Sequence, residues 1–278
     1  MAKVNRRKSS RQTGIARRKG IISKLWLAII LILLVLSPFY YGKLISLVRS
    51  TAIWVVNVFH ADNYPHYISY QIRIPKGYSI HGIDVSRYQG EIDWQRVAAM
   101  TDEDVKINYT IIKATEGLLS VDPYFKRNWR LSRKAGLKRG AYHYFKQNRS
   151  GLWQARFFLQ TVPFSSGDIV PVIDVEERGS KSREEFQANL KQFLKEVEKQ
   201  LGIKPMIYSG LKFYCDNLSG DFDDYPVWIA HYYQPRLNLA SWHFWQHSDK
   251  ARVNGIFHQV DMNVFNGTDD DFKKLLIK

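Results

Sequence analysis

From residue 80 onward, apolar and polar positions follow two periods that trade places along the chain. Short runs rich in Val, Ile, Tyr and Thr read as strands: "IHGIDVS" (80–86), "YTIIKAT" (109–115), "KRGAYHYF" (138–145), "DIVPVIDVE" (168–176) and "KPMIYSG" (204–210). Helical patterns stand between them, in "DWQRVAAM" (93–100), "PYFKRNWRLSRKAG" (123–136), "GLWQARFFLQ" (151–160) and "SREEFQANLKQFLKEVEKQLG" (182–202). The last is the clearest. Phe186, Leu190, Phe193, Leu194 and Val197 fall on one face, and Ser182 stands where an N-cap belongs. Beyond residue 210 the helices thin out, and "YPVWIAHY" (225–232), "SWHFWQHS" (241–248) and "GIFHQVDMN" (255–263) read as strands joined by loops or short turns. Eight strands with helices between the early ones predict an α/β fold, a β/α barrel with its last helices reduced or missing. The alternative is an open doubly wound sheet, but "DVSRYQG" follows the first strand where a Gly-rich phosphate loop would stand.

A barrel of this kind carries its site at the C-terminal ends of the strands. The fourth run, "DIVPVIDVEERG", begins as a buried strand and ends in Asp174, Glu176 and Glu177. Positions i and i+2 of a strand share a face, so Asp174 and Glu176 point the same way, with Val175 and Glu177 opposite. Two carboxylates so placed repel each other, and the proton affinity of one rises, as a general acid requires. A strand followed by a solvated acidic turn accounts for this stretch alone equally well. The other strand ends add polar groups: Asp84, Lys113 with Glu116, Tyr142 with His143, Tyr208, His231 with Tyr232, Gln246, and Asp261 with Asn263. Together they predict one acidic mouth lined by aromatic rings. An ion pair shaping the rim explains Lys113 and Glu116 as well as substrate binding does.

The ordered set "HGIDVSRYQGEIDW", "IIKATEG", "RGAYHYF", "VPVIDVEE", "PMIYSG", "VWIAHY", "FWQHS" and "VDMNVFNG" resembles glycoside hydrolase family 25, the Chalaropsis-type lysozymes, over about residues 81 to 270. The resemblance implies a modified TIM-type barrel of five β/α units plus three further strands. It also implies a muramidase that cleaves the β-1,4 bond between N-acetylmuramic acid and N-acetylglucosamine in peptidoglycan, with no cofactor. Carried over motif by motif, Glu176 is the general acid/base, Asp174 its partner, and Asp84 and Asp261 the remaining acids, while Tyr208 lies by the sugar. Tyr142 and Gln246 join Tyr208 as candidates for substrate binding.

Direct attack by a retaining carboxylate calls for a separation of about 5–5.5 Å, whereas i and i+2 on a strand are roughly 6.5–7 Å apart. That favours Asp174 positioning the substrate's acetamido group as internal nucleophile, with a covalent glycosyl-aspartate as the alternative. A glycan-binding module on the same barrel is the competing class, but a binder gains nothing from mutually repelling acids. Trp228 and Trp245 are assigned to core packing rather than to sugar stacking. His143, His231, His243 and His247 form no zinc-ligand spacing, so no metal is expected.

Composition and charge add the chain's address. The net charge is +15, and the first 24 residues, with nine Lys or Arg and no acid, supply +9 of it. The basic excess is therefore chiefly a tail and argues against nucleic acid as a partner. Behind it the uncharged run "LWLAIILILLVLSPFYYG" (25–42) is just long enough to span a membrane. The charge asymmetry predicts the N-terminus inside and the bulk outside a bacterial cytoplasmic membrane, and a cleaved signal peptide is the rival reading. The expected organisation is a cytoplasmic tail (1–24), a transmembrane helix (25–42), a stalk (43–80) and a hydrolase barrel (81–278). Within the stalk, "YISYQIRIPKGYSI" alternates like an edge strand or hairpin. The single cysteine, Cys215, excludes an intrachain disulfide and is expected to be a buried thiol among aromatics. A reporter fused after Lys278 should be active outside the cytoplasm and silent inside, and N-terminal sequencing that starts after residue 35 would replace the anchor with a cleaved leader.

Overall fold

In the computed structural model the described residues are 63–278 together with Trp26, Leu47, Val48, Ser50 and Thr51. The secondary structure below belongs to Phe59–Lys278, the second of two compact units, of which the first is Met1–Val58. Apart from Trp26, the expected membrane-spanning segment lies outside the described residues. Among the described residues no helix is long and apolar enough to cross a membrane.

Eight strands close into a barrel in chain order: β1 (His81–Val85), β2 (Val105–Glu116), β3 (Lys138–Tyr144), β4 (Val172–Asp174), β5 (Met206–Gly210), β6 (Val227–Ala230), β7 (Phe244–Ala251) and β8 (Val260–Phe265). Neighbours from β1 to β7 pair in parallel. Helices α1 (Trp94–Ala99), α2 (Phe125–Lys134), α3 (Gly151–Thr161), α4 (Arg183–Leu201) and α5 (Leu211–Asn217) follow the first five strands. This is the arrangement of five β/α units and three further strands that the resemblance implies. As expected, Ser182 caps α4; its hydroxyl accepts from the Glu185 N–H in a capping box, and Gly202 ends the helix at φ 68°.

Strand β8 departs from the rest by running antiparallel to both β7 and β1. A parallel return needs a crossover of a dozen or more residues, and residues 252–259 are too few, so the chain turns straight back. This corrects the expected end of the eighth strand. Asp261 sits at the beginning of β8, and Asn263 lies buried inside the barrel rather than at a strand end.

Alternation along the strands sorts the two layers. Ile111, Val172, Met206, Trp228 and Phe244 fill the barrel, while Ile83, Ile112, Ile173, Ile207 and Val264 pack outward into the layer that the helices complete. At the N-terminal end of the strands, α6 (Asp269–Lys274) plugs the barrel. Phe272 packs against Tyr109, Phe244 and Phe265, and the Val170 N–H donates to the Leu275 carbonyl at 2.9 Å. Pairing with this tail takes the first part of the expected fourth strand, so β4 proper is shorter than 168–176.

The segment expected as a stalk contributes to the barrel domain. His66–Tyr67 and Ile72–Arg73 form an antiparallel hairpin, as the alternation suggested. Tyr64, Tyr67, Tyr70, Ile72 and Ile74 are buried, and the Arg252 N–H donates to the Tyr70 carbonyl at 2.9 Å. Among the described residues, the packed structure of the barrel domain therefore already includes residue 64, ahead of the expected boundary at residue 81.

One close approach shows how tightly the barrel is filled. A Cβ on Gly82 would lie 2.4 Å from the ring of Tyr109, which is itself fully buried. Gly82→Ala should therefore cost about 1–3 kcal/mol in chemical unfolding, since the ring cannot move aside without displacing its neighbours. The Tyr109 hydroxyl has no hydrogen-bond partner, so Tyr109→Phe should be neutral or stabilising in the same measurement.

Candidate active site

The mouth at the C-terminal ends of the strands is a cleft of about 460 Å³, and all seven expected site residues line it: Asp84, Tyr142, Asp174, Glu176, Tyr208, Gln246 and Asp261. A larger hollow of about 990 Å³ lies on the flank, between the hairpin, α1, α2 and the β7–β8 loop. Its walls carry cations such as Arg96, Lys134 and Arg252 but none of the strand-end acids, so size alone does not mark the site.

The antiparallel return of β8 sets Asp261 directly opposite Asp84. Such partners share a face with Cβ atoms about 4.5–5.5 Å apart, so the two carboxyls face each other across the seam. The Asp84 Oδ2 accepts from Gln246 Nε2 at 2.8 Å and from Asn263 Nδ2 at 2.7 Å. Gln246 Oε1 in turn accepts from the hydroxyls of Tyr208 and Tyr232, both at 2.8 Å, and Asn263 Oδ1 accepts from the Trp228 indole at 2.8 Å. Five strands and the loop after β6 are thus tied to one carboxylate. Burial raises the proton affinity of Asp84, and these two amide donors pull it back down. Asp261 is raised further, by burial first and then by the charge of Asp84, so Asp261 holds the proton of the pair.

Across the mouth, Asp174 is buried at the tip of β4, and its Oδ1 has no hydrogen-bond partner. Burial, then the neighbouring Glu176, pushes its pKa well above the usual carboxylate range. Glu176 follows Val175, whose buried side chain faces outward, and it stands exposed at the rim as the alternation requires. Its carboxyl is still partly desolvated within the cleft, which raises its pKa too, opposed by the Tyr144 hydroxyl and by the charges of Lys113 and Lys146. Glu177 is exposed.

The model for "Glycosyl hydrolases family 25" matches residues 83–256 of this sequence. The chain belongs to glycosyl hydrolase family 25. It is 50% identical over 264 residues to YegX of Escherichia coli K12, described only as an uncharacterized protein, covering 94% of this chain and 96% of that one. The autolytic lysozyme of Clostridium acetobutylicum is 34% identical over 186 residues, which are 66% of this chain and 55% of the lysozyme. Among solved structures, a family 25 glycosyl hydrolase from Bacillus anthracis superposes with a TM-score of 0.65 at 31% identity, over 72% of this chain and 95% of its own. As a family 25 member the chain is a glycoside hydrolase.

The family 25 barrel also brings residues to the mouth that periodicity did not single out. Tyr144 and Lys146 line the cleft, one at the end of β3 and the other just past it. The alternation that places Tyr142 inward places Tyr144 inward as well, and that was the available signal. Of the two readings open for Lys113 and Glu116, the structure shows the ion pair, at 2.7 Å, and both side chains also line the cleft. Trp228 and Trp245 are buried as expected, although Trp228 also borders the cleft.

Cys215 contradicts expectation. Helix α5 turns Tyr214 and Leu218 inward at i and i+4, which leaves the thiol exposed. Two of the histidines have hydrogen-bonded neighbours: His143 is buried between Thr115 and Gln154, and His243 Nδ1 accepts from the Val227 N–H, whereas His247 is buried with neither ring nitrogen hydrogen-bonded. Among the described residues no three His, Cys, Asp or Glu side chains are grouped to hold a metal ion.

The folded chain keeps a proton on Asp261 that an unfolded aspartate releases above about pH 4. Stability therefore falls as pH rises from there through the raised folded value. Asp261→Asn removes the titration, so its melting temperature should exceed the wild type's at pH 7, with the advantage vanishing below about pH 4.

Proposed function

We propose that this chain is a lysozyme that hydrolyses the β-1,4 bond between N-acetylmuramic acid and N-acetylglucosamine in peptidoglycan, with Glu176 as general acid/base. The observation that carries this reading is the convergence of Asp84, Asp174, Glu176 and Asp261 on one cleft, in which only Glu176 stands exposed at the rim. The relatives named as lysozymes support the same substrate.

In this reading Glu176 gives its proton to the glycosidic oxygen as the C1–O bond breaks. The acetamido carbonyl oxygen of the same sugar closes onto C1, and Asp174 accepts a hydrogen bond from the acetamido N–H, a proton the nitrogen keeps throughout. The partnerless Oδ1 of Asp174 supports that role. Glu176, now ionised, deprotonates the water that opens the ring at C1 and is thereby protonated again. Asp84, beside the protonated Asp261, keeps negative charge near the developing oxocarbenium centre. Tyr142 and Tyr208 offer ring faces to the sugars. The basic tail and the uncharged run at 25–42 support a membrane anchor that holds the barrel outside the cytoplasm.

Incubation of the purified protein with peptidoglycan, followed by mass spectrometry of the new reducing ends, tests the bond. N-acetylmuramic acid at the reducing end is expected; N-acetylglucosamine ends, anhydro-muramic ends or cut stem peptides would overturn the assignment. Glu176→Gln keeps the shape and removes the transferable proton, so it should lower turnover by about 10²–10⁴-fold. Glu177→Gln, on the opposite face, should leave turnover unchanged.

A further inference from the structure

Beside Glu176 lies a cluster that the mechanism above does not use. Glu116 binds two lysines, one through each oxygen: Lys113 Nζ lies 2.7 Å from Oε2 and Lys146 Nζ 3.1 Å from Oε1. Both ammonium groups lie against the Tyr144 ring, at 4.9 and 4.4 Å from its centroid, within cation–π range. Tyr144 is paired with Asp174 across β3 and β4, and two residues further on, Lys146 and Glu176 line the same cleft.

The backbone of Lys146 is held as firmly as its side chain. Its N–H donates to Gln154 Oε1 at 2.8 Å, and its carbonyl accepts from Gln154 Nε2 at 3.0 Å. The same Gln154 oxygen faces His143 Nε2 at 3.2 Å, and His143 Nδ1 lies 2.7 Å from the Thr115 hydroxyl. Gln154, His143 and Thr115 are all fully buried. Burial lowers the His143 pKa to about 4, which keeps this brace neutral in the working range. A buried, neutral and satisfied chain of side chains thus ends on one rim lysine.

We propose that Lys146 is a positioning residue for the general acid: clamped by Glu116 over the Tyr144 ring, it holds Tyr144 and its own charge on the Glu176 side of the cleft and thereby sets the pH range of the reaction. This rests on the hydrolase reading above. The groups bearing on Glu176 come from every side: Asp174 and Glu177 from its own segment, Tyr144 and Lys146 from β3 and the residues after it, and Lys113 from β2. Asp84, Asp261 and Tyr208 act from β1, β8 and β5. The two lysines counter the acids, so removing Lys146 lets Glu176 keep its proton to higher pH. The general acid must be protonated to act, so the alkaline limb of the pH profile moves upward.

The test uses the whole chain with Lys146→Met and Lys146→Arg. For Lys146→Met the alkaline limb of kcat/KM on peptidoglycan should shift up. Its kcat at the wild-type optimum should fall about two- to fivefold, on the scale of one cation–π contact, with KM unchanged. Lys146→Arg, which keeps the charge over the ring, should restore the wild-type profile. A second readout needs no turnover: a carbon-13 titration of the glutamate carboxyls, with the Glu176 signal assigned by its loss in Glu176→Gln, should show a higher midpoint in Lys146→Met alone. A raised KM with an unmoved limb and midpoint would make Lys146 a direct substrate contact and overturn the proposal. A lowered melting temperature with both unmoved would make it a structural strut, with the same consequence. If the wild type itself releases no reducing ends, the hydrolase reading fails, and the carbon-13 midpoint still decides the link between Lys146 and Glu176.

Discussion

Asp84 accepts two amide hydrogen bonds inside a closed barrel, and the geometry of the mouth follows from that carboxylate. Through Gln246 and Asn263 it ties β1 to β7 and β8, and through Tyr208 and Trp228 it reaches β5 and β6. The bonds to Asp84 are charge-assisted, stronger than neutral ones and demanding in direction. They therefore hold the antiparallel seam in register while facing Asp84 toward Asp261. Closure of the barrel and assembly of the acidic site are one event.

The same mouth concentrates charge that opposes folding. Asp84, Asp174, Glu176 and Asp261 all have raised proton affinity, chiefly from burial, with mutual repulsion added. The strain is confined to one end. At the other end the Arg139–Asp168 ion pair is buried, its guanidinium lying 3.9 Å over the Trp129 ring, and α6 packs Phe272 into the floor. An aromatic-packed floor and a densely filled middle let the C-terminal end of the strands carry groups that would not remain together in water. Glu176 stands apart from the other three because it projects past the end of β4, toward solvent and the lysine clamp. The four acids thereby divide into a rim proton donor and a buried set in which Asp84, held by its two amide donors, carries the charge.

Local pattern carried much of this in the linear chain. The helix at 182–202, its serine cap and its apolar face follow from the period of Phe186, Leu190, Phe193 and Val197, which any tertiary setting would respect. The inward facing of Asp174 and the outward facing of Val175 follow from the two-residue period of a strand. The eight strands and the gathering of Asp84, Tyr142, Tyr208 and Gln246 at one end were legible because strand ends in a parallel barrel share a side, whereas the fifth β/α unit came only with the family resemblance. The family assignment rested on short runs in a fixed order, and the match over residues 83–256 agrees with it.

Direction and partnership were decided only in three dimensions. Nothing local distinguishes a strand that returns antiparallel from one that crosses over, so Asp261 was read at the wrong end of β8 although its membership of the site was right. Exposure of Cys215 depended on which face of a short helix, α5, meets the barrel, and seven residues with aromatics on several sides leave that phase ambiguous. The hairpin at 66–73 reads as a stalk until β7 and its following loop supply the surface that buries Tyr70 and Ile72. The clamp of Lys113 and Lys146 on Glu116 joins residues thirty positions apart in the chain, because β2 and β3 lie side by side. Sequence periodicity states which way a side chain faces relative to its own backbone; which neighbour it meets there depends on strand order and direction, and those are properties of the closed barrel.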